Sequence, residues 1–177
     1  MFSDKENLKQ EVKDTKKVSI MATRTIKLKN LNIEPLSVAK YFWSKGVEIL
    51  PINQQLTYFT YLEALKDGYL LFKEEWQAWP NGPAVDSAFD KMFDNYDKLD
   101  KLFSKVEDLD NELAINHADK IFKKYHKTEP YLIFEKAQNK PWKDARKPLK
   151  SERETARIPL ESLIKFTNGN GKRTRAV

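Results

Sequence analysis

The sequence predicts a mainly α protein: one compact multi-helix domain with a minor, short β element and a flexible basic tail at each end. Three observations support this fold class. Large apolar residues recur at helical spacing between residues 35 and 166. Prolines and glycines stand at the ends of these apolar stretches, where helices begin and end. The chain has 177 residues, of which 40% are hydrophobic and 33% charged, as is typical of a single globular domain.

Three segments are predicted along the chain. Residues 1–31 form a flexible N-terminal arm, because residues 1–17 carry few apolar side chains to anchor them. A partial alternation of apolar and polar residues from Ile20 to Leu28 indicates a short strand or an extended stretch within this arm. Residues 32–167 form the compact helical domain. Residues 168–177 form a disordered basic tail, since they contain too few aliphatic side chains to order it.

The first two helices are predicted from the proline and glycine residues at their ends. Pro35 suits the first turn of a helix, and apolar residues continue at helical spacing until Gly46 ends it. Pro51 opens a second helix, which ends at Asp67-Gly68. The apolar stripe expected to face the core on this second helix consists of Leu56, Phe59, Leu62 and Leu65, flanked by Tyr58 and Tyr61.

The middle of the chain predicts the β element, a turn and a third helix. Residues 69–72 are apolar but too few for a helix, so they indicate a strand leading into Trp76 and Trp79. The sequence Pro80-Asn81-Gly82-Pro83 predicts a turn followed by the start of a helix. The face expected to be buried on that helix consists of Val85, Phe89, Met92, Phe93 and Tyr96. Residues 97–112 are highly charged and are expected to form a loop or a frayed helix.

The last third of the chain predicts further helices. Apolar spacing indicates a long helix over residues 113–125. Thr128 is typical of an N-cap for the next helix, with Pro130 inside its first turn. Pro141-Trp142 interrupts the helical pattern, and a last helix follows Pro159.

The net charge of +6 is unevenly distributed. Residues 1–30 carry a net charge of +4, residues 31–135 carry −6 and residues 136–177 carry +8. Basic ends attract polyanions, because each Lys or Arg placed near a phosphate releases condensed counterions. Charge runs at chain ends also commonly act only as solvated tails. The sequence alone therefore leaves nucleic-acid contact through the basic tails and simple solvation both open.

Side chains suited to catalysis or metal binding are few and form no recognised pattern. The chain has no cysteine and contains neither a GxGxxG nor a GxxxxGK[ST] phosphate loop. His117 and His126 lie nine positions apart, on opposite sides of one helix, and no nucleophile motif accompanies either. A series of carboxylates spaced as on a solvated helix face comprises Asp86, Asp90, Asp94 and Asp97. We therefore predict no catalytic residue, metal or cofactor, with an uncharacterised enzyme as a minor alternative.

The hydropathy pattern contains no membrane or secretory signal. No apolar run approaches the roughly 18 residues of a membrane span. The first twenty residues lack the apolar stretch of a secretory signal. The sequence therefore predicts a cytoplasmic protein that does not associate with a membrane.

Three of the four tryptophans are candidates for partner binding. Trp76, Trp79 and Trp142 are each predicted to lie beside a helix boundary. Tryptophan dominates the hot spots of protein interfaces, so these rings are candidate surface anchors. Packing between helices is the interpretation favoured for these three rings, and more strongly for Trp43 in mid-helix. The stretch from Lys140 to Pro148 interleaves basic residues with Pro and Trp, a weak indication of nucleic-acid backbone contact.

Three stretches resemble the Panacea antitoxin domain family, which includes phage-associated proteins and a protease-adaptor antitoxin. The first comprises Val38-Ala39-Lys40-Tyr41-Phe42 and Ile52-Asn53-Gln54-Gln55-Leu56-Thr57-Tyr58-Phe59. The second comprises Leu71-Phe72, Trp76-Gln77-Ala78-Trp79-Pro80-Asn81 and Gly82-Pro83-Ala84-Val85, and the third comprises Pro141-Trp142 and Ala145-Arg146. The chain differs from the family at Gln54-Gln55, where lysine-containing residues are common, and at Lys136, Ala137 and Asn139, where Thr-His and an acidic residue are usual.

The resemblance implies a non-enzymatic helical protein that neutralises a toxin encoded beside it, by direct binding or by delivery to a protease. The motif residues that it marks as partner contacts or framework are Trp76, Trp79, Gly82, Pro83, Pro141, Trp142 and Arg146. Gly82 permits the backbone conformation of the turn, and Pro83 is expected to fix the first turn of the next helix. The alternative function is a nucleic-acid-associated phage or mobile-element regulator that uses the basic tails.

Overall fold

The computed structural model describes residues 27–171 and confirms a mainly α fold with a minor β element. The N-terminal arm predicted for residues 1–31 and the basic tail predicted for residues 168–177 lie mostly outside the described residues. Within the predicted arm, Lys29 and Asn30 form a strand. Within the predicted tail, the last helix continues to Gly171. The folded elements therefore begin earlier and end later than the predicted boundaries.

The described residues form eight α-helices and five short strands. The helices are α1 (Pro35–Ser44), α2 (Leu50–Lys66), α3 (Asp86–Asp94), α4 (Leu99–Phe103), α5 (Glu112–Tyr125), α6 (Pro130–Ala137), α7 (Lys140–Arg146) and α8 (Leu160–Gly171). The strands are β1 (Lys29–Asn30), β2 (Tyr69–Leu70), β3 (Trp76–Trp79), β4 (Gly82–Ala84) and β5 (Arg157–Ile158). Strand β1 pairs in parallel with β2, whereas β3 lies between β4 and β5 and is antiparallel to both.

Helices α1 and α2 begin and end where their proline and glycine residues predict. Pro35 and Pro51 lie in the first turns, where a missing N–H costs no helical hydrogen bond. Gly46 and Gly68 follow the helix ends with φ of +86° and +83°, a backbone conformation that glycine adopts without steric cost. These helix boundaries are set by local chemistry.

Helix α2 is the centre of the fold. Helices α1, α5, α6 and α8 pack around it, and 14 of its 17 residues are buried. The single apolar stripe predicted for this helix therefore understates its burial. Two of its buried polar side chains form hydrogen bonds within the helix. The hydroxyls of Thr57 and Thr60 donate to the carbonyls of Asn53 and Leu56, at 3.0 and 2.8 Å. A helix buried on all sides needs such internal partners.

The side chains that α3 buries differ in part from those predicted. Phe93 and Tyr96 were expected in the core, but both are exposed. Val85 and Met92 are buried as predicted. Met92 and Ala88 belong to a small second cluster that also contains Leu36, Ala39, Leu50, Leu99 and Phe103. Ala88 and Met92 face this cluster, whereas Phe93 lies on a side of α3 that no described helix covers. The apolar spacing alone does not show which face a neighbouring helix covers.

Two predicted features at helix starts are wrong. The N-cap position before α6 is Glu129, not Thr128, and its side chain makes no capping hydrogen bond. Pro141-Trp142 does not break the helical pattern but begins α7, because the Asn139 side chain accepts a hydrogen bond from the backbone N–H of Trp142 at 3.4 Å. Residues 97–112 contain the short helix α4 followed by a loop, as predicted.

No helix within residues 27–171 combines the length and apolar character needed to cross a membrane.

Candidate functional site

The three stretches that carry the family resemblance meet at one β-hairpin. Strands β3 and β4 form this hairpin, with Ala78 opposite Pro83 and Trp79 opposite Gly82. Its β4 side lies against α2, where Gln54 and Gln55 are found. The segment of α7 packs against β3. Ala78 and Arg146, which are 68 positions apart in the sequence, are therefore in contact in the fold.

Gly82 allows the hairpin to lie directly against α2. Its φ is +142°, a conformation that side chains other than hydrogen rarely permit. A Cβ atom at this position would lie 2.9 Å from both Nε2 and Oε1 of Gln55. The glycine is therefore required both by the backbone conformation and by the close approach.

Pro83 lies in strand β4 and not in the first turn of a helix, which corrects the prediction. Helix α3 begins three residues later, at Asp86, and Val85 occupies its N-cap position. Strand β4 is an edge strand that pairs only with β3 among the described strands. An edge strand tolerates a proline, because one side of it makes no ladder hydrogen bonds.

Trp76 belongs to the core. Its side chain is only 1% exposed, and its ring makes edge contacts with Tyr58 and Tyr61 at centroid distances of 4.9 and 5.6 Å. Burial raises the pKa of both tyrosine hydroxyls above their ordinary range. Trp76 is therefore a packing residue, and the surface-anchor interpretation does not apply to it.

Trp142 and Arg146 fasten α7 to the hairpin. The indole N–H of Trp142 donates to the backbone carbonyl of Trp79 at 2.9 Å. The Arg146 guanidinium donates to the carbonyl of Ala78 at 2.7 Å and lies 5.3 Å from the centre of the Trp142 ring. The same guanidinium donates to the carbonyls of Glu152 and Glu154, at 2.8 and 2.9 Å. These contacts give Trp142 and Arg146 a framework role.

Pro141 and Asn139 set the position of α7. Pro141 is buried in the first turn of the helix. Asn139 exchanges hydrogen bonds with the hydroxyl of Tyr58, at 3.1 Å, and also caps the helix. The residue that departs from the family pattern at this position therefore links α7 to the central helix α2.

Trp79 begins a row of aromatic rings that leads out to the surface. Its indole N–H donates to Asp86 at 2.8 Å, and its ring lies 5.0 Å from that of Phe89. The Phe89 ring stacks on Phe93 at 6.2 Å. Trp79 and Phe89 are half-buried, whereas Phe93 is 66% exposed. We call Trp79, Phe89 and Phe93 the aromatic row.

Carboxylates flank the aromatic row. Asp86, Asp90 and Asp94 are all exposed on α3, which is the solvated face that their spacing predicts. Glu74, which accepts a hydrogen bond from Ser87, adds another negative charge near the start of the helix. The surface therefore combines exposed aromatic area with negative charge.

Sequence reasoning missed the exposed part of this surface. It placed Phe93 in the core because its spacing fits the apolar series, although a regular series of aspartates on the same helix marks a solvent-facing side. It also did not assign any contact to Gln54 and Gln55, which are buried beneath the hairpin. Their polarity gave no sign of burial, and only the packing of β4 on α2 reveals it.

The two histidines do not act together. His117 is buried on α5, with Nε2 3.6 Å from Asp67 Oδ2, while His126 is exposed and stacks on Phe122. Burial lowers the pKa of His117 and outweighs the opposing effects of Asp67 and Glu63. In residues 27–171, no group of three or more His, Cys, Asp or Glu side chains is arranged to hold a metal ion.

The chain therefore folds into a helical domain with an aromatic and acidic surface. This surface lies beside a β-hairpin that Trp142 and Arg146 bind to α7. No family model, curated protein or solved structure matches the chain.

Proposed function

We propose that this chain is a non-enzymatic interaction protein of the antitoxin type, which neutralises the product of a neighbouring toxin gene. Direct binding of the toxin is the simplest mode, and delivery of the toxin to a protease is compatible with the same surface. The aromatic row is the observation that carries the proposal. The resemblance to the Panacea antitoxin domain family supplies the kind of partner.

The aromatic row has the properties of a binding hot spot. Phe93 exposes 66% of its side chain to water, although its stacking on Phe89 holds it in place. Burial of an aromatic ring by a partner removes a large apolar area from water. The contact with Phe89 restricts the ring, which lowers the side-chain entropy that binding costs. Aromatic residues, Phe among them, are enriched in protein interfaces relative to the rest of the surface.

The charge beside the row indicates a basic partner. Asp90 and Asp94 are exposed on the helix that carries Phe89 and Phe93. Complementary charge speeds the encounter of two proteins and suppresses wrong partners. We therefore expect the toxin surface that covers the row to carry Lys or Arg around an apolar centre.

Co-expression of the chain with the neighbouring genes tests the proposal. The wild-type chain should restore growth to cells that express the toxic neighbour, and Phe93→Ala should lose this protection. Tyr131→Ala is the matched control, because Tyr131 is also 66% exposed but lies on α6. In a pull-down, Phe93→Ala should weaken binding by at least tenfold, an effect of roughly 1.4 kcal/mol or more.

Two results would contradict this assignment. If none of the neighbouring genes harms the cell in the absence of the chain, the antitoxin function has no target. If Phe93→Ala and Tyr131→Ala protect equally well, the aromatic row is not the binding surface. Thermal unfolding of both variants shows whether either result reflects loss of the fold.

Binding to nucleic acid is the second candidate function. Exposed basic side chains lie along α7 and the segment that follows it, at Lys143, Lys147, Lys150 and Arg153. Part of this charge is neutralised, because Asp144 pairs with Lys140 at 2.5 Å and with Lys147 at 2.7 Å. Binding to duplex DNA that weakens by orders of magnitude between about 50 and 200 mM salt would support this function. A flat salt response would reject it.

A further inference from the structure

A pocket lined by lysine side chains lies where α2, α5, α6 and α8 meet. Its volume is about 140 Å³, and we call it the lysine pocket. The charged residues that line it are Glu63 and Lys66 on α2, Lys124 on α5 and Lys136 on α6. No residue of the aromatic row or of the β3–β4 hairpin is among the described residues that line it. The lysine pocket is therefore separate from the surface proposed to bind the toxin.

Positive charge predominates in the lysine pocket, although the middle of the chain is acidic overall. Its lining contains three lysines and one glutamate, which gives it a net charge of +2. The glutamate, Glu63, is already bound, because its carboxylate pairs with Lys66 at 2.6 Å and also with Lys120. In the part of the chain that the structure describes, no carboxylate pairs with Lys124 or Lys136. These two ammonium groups are therefore available to an anion.

Tyr125 brings a hydroxyl group to the same pocket. The residue is 8% exposed, and its ring stacks on Phe59 at a centroid distance of 4.7 Å. The hydroxyl oxygen is not one of the polar atoms sealed from solvent, so a ligand in the pocket can reach it. Burial raises the pKa of this hydroxyl, whereas Lys136 and Lys66 act in the opposite direction. Both ammonium groups therefore lie within electrostatic range of a hydroxyl that stays protonated and can donate a hydrogen bond.

The surroundings of the lysine pocket strengthen its electrostatic field. Phe59, Leu62 and Phe166 contribute apolar walls. A cleft that carries charge of one sign between low-dielectric walls concentrates ions of the opposite sign. Lys124 is also held in place, because its Nζ lies 5.3 Å from the centre of the Tyr125 ring and is attracted by the face of that ring.

We propose that the lysine pocket binds a dianionic phosphate group, either free phosphate or the phosphate of a monoester. Lys66, Lys124 and Lys136 supply the counter-charge, and the Tyr125 hydroxyl donates a hydrogen bond to one phosphate oxygen. A phosphate monoester carries a charge of about −1.5 to −2 at neutral pH, which matches the net charge of the pocket. Lysine binds phosphate as a point charge and needs no fixed planar geometry. This activity is independent of the proposed antitoxin function.

Other anions match the lysine pocket less well. A carboxylate and a phosphodiester each carry a single negative charge, so either would leave part of the positive charge uncompensated. The space also suits a phosphate group. A cavity of about 150 Å³ holds a benzene molecule, which has more heavy atoms than phosphate, and the lysine pocket is nearly as large.

NMR titration of the full chain with three small anions at constant ionic strength tests the proposal. At a pH of about 7.5, methyl phosphate is mainly a dianion, whereas dimethyl phosphate and acetate are monoanions. Methyl phosphate should give saturable shifts at the amides of Lys124, Tyr125 and Lys136, with a Kd of about 1–10 mM. The two monoanions should bind about tenfold more weakly or worse. Equal binding of the three anions, or no saturable shift with any of them, would overturn the proposal.

A pair of lysine variants separates the pocket from the charge of the whole chain. Lys136→Gln removes one positive charge from the pocket, and Lys150→Gln removes one from an exposed position that does not line it. The first should weaken methyl phosphate binding by about fivefold or more, and the second by less than about twofold. Equal weakening would show that net charge alone attracts the anion and would overturn the site. If Lys136→Gln does not fold, the comparison of the three anions on the wild-type chain still decides the question.

Tyr125→Phe tests the hydrogen bond. It removes the hydroxyl and keeps the ring that stacks on Phe59. Methyl phosphate should bind about threefold more weakly or worse, while its preference over the two monoanions is retained because the lysines are unchanged. An unchanged affinity for methyl phosphate would overturn the role assigned to the hydroxyl.

Inorganic phosphate distinguishes a free ligand from a phosphate that a larger molecule carries. If inorganic phosphate binds at least as tightly as methyl phosphate, the pocket is assigned to the free ion. Tighter binding of methyl phosphate assigns it to a monoester. Dimethyl phosphate that binds as tightly as methyl phosphate would indicate the backbone of a nucleic acid and would overturn the proposal. Phe93→Ala should leave phosphate binding unchanged, since Phe93 does not line the pocket.

Discussion

Gly82 is the residue where a single methyl group would disturb the site most directly. We expect Gly82→Ala to lower the free energy of unfolding by about 1–3 kcal/mol, because it combines an unfavourable backbone conformation with a collision against Gln55. Urea denaturation monitored by tryptophan fluorescence measures this change.

Gly68→Ala is the comparison at a glycine that has a positive φ and open space around it. Gly68 has a φ of +83°, but no atom lies within 4 Å of a Cβ placed there. We expect a loss of only about 1 kcal/mol from the left-handed conformation. Equal losses for the two substitutions would show that the hairpin does not press on Gln55.

His117 makes stability depend on pH. Its folded-state pKa is lowered by burial, so the unfolded chain takes up a proton first as the pH falls through about 6.5. The stability that neutral His117 provides is therefore complete above that pH and is lost progressively below it. Urea midpoints at pH 7.5 and 5.5 should show a drop that His117→Asn reduces.

His126→Asn is the control for this pH dependence. His126 is exposed, so its replacement should leave the difference between the two midpoints unchanged. If His117→Asn retains the full wild-type difference, protonation of other groups causes the loss of stability.

At the scale of elements, Arg146 joins three separate segments. Its guanidinium bonds to carbonyls of β3 and of residues 152 and 154, in directions that a single ammonium group cannot span. We expect Arg146→Lys to lower the free energy of unfolding by about 1–3 kcal/mol. Arg153→Lys, at an exposed position, should change it by less than about 0.5 kcal/mol. Equal stability of both variants would contradict the fastening role of Arg146.

The helix boundaries show which parts of the fold the sequence can predict. Pro35, Gly46, Pro51 and Gly68 act on their own backbone, and the helices begin and end beside them. Pro83 also carries a local signal for a helix start, but its pairing with β3 places it in a strand. Local chemistry predicts an element well only where no distant segment competes for the same backbone.

The start of α7 depends on local residues. Asn139 is a preferred N-cap residue, and Pro141 lies in the first turn, where its missing N–H costs no helical hydrogen bond. Pro141 taken alone predicts an interruption, because a proline inside a helix removes a backbone hydrogen bond. The capping bond from Trp142 to Asn139 corrects it.

At the scale of the whole molecule, the acidic surface on α3 predicts how fast the partner binds. Asp90→Asn combined with Asp94→Asn should lower the association rate constant and leave the dissociation rate constant nearly unchanged. High salt should slow association of the wild-type chain in the same way. Stopped-flow mixing with the toxin measures both rates.

The control for this prediction is on another helix. Glu129→Gln combined with Glu135→Gln removes the same charge beside α6 and should change the association rate less. If both pairs have the same effect, only net charge matters and α3 has no special position.

The candidate site was partly predictable because its framework residues have distinctive chemistry. Trp79, Gly82 and Trp142 stood out in the sequence, and the structure brings them together at the hairpin. The exposure of Phe93 and the burial of Gln55 were not predictable, because both depend on which helices pack side by side. A residue's polarity describes its preference for water but not the position of its neighbours.

The position of α2 has a consequence for the dynamics of the domain. Its backbone is surrounded by four other helices, so no local fraying can expose its middle turns to solvent. The amide hydrogens of residues 56–62 should exchange with deuterium only when the entire domain opens, whereas those of the short helix α4 exchange through local fluctuations. Exchange rates along α2 would therefore report the global equilibrium between folded and unfolded chain.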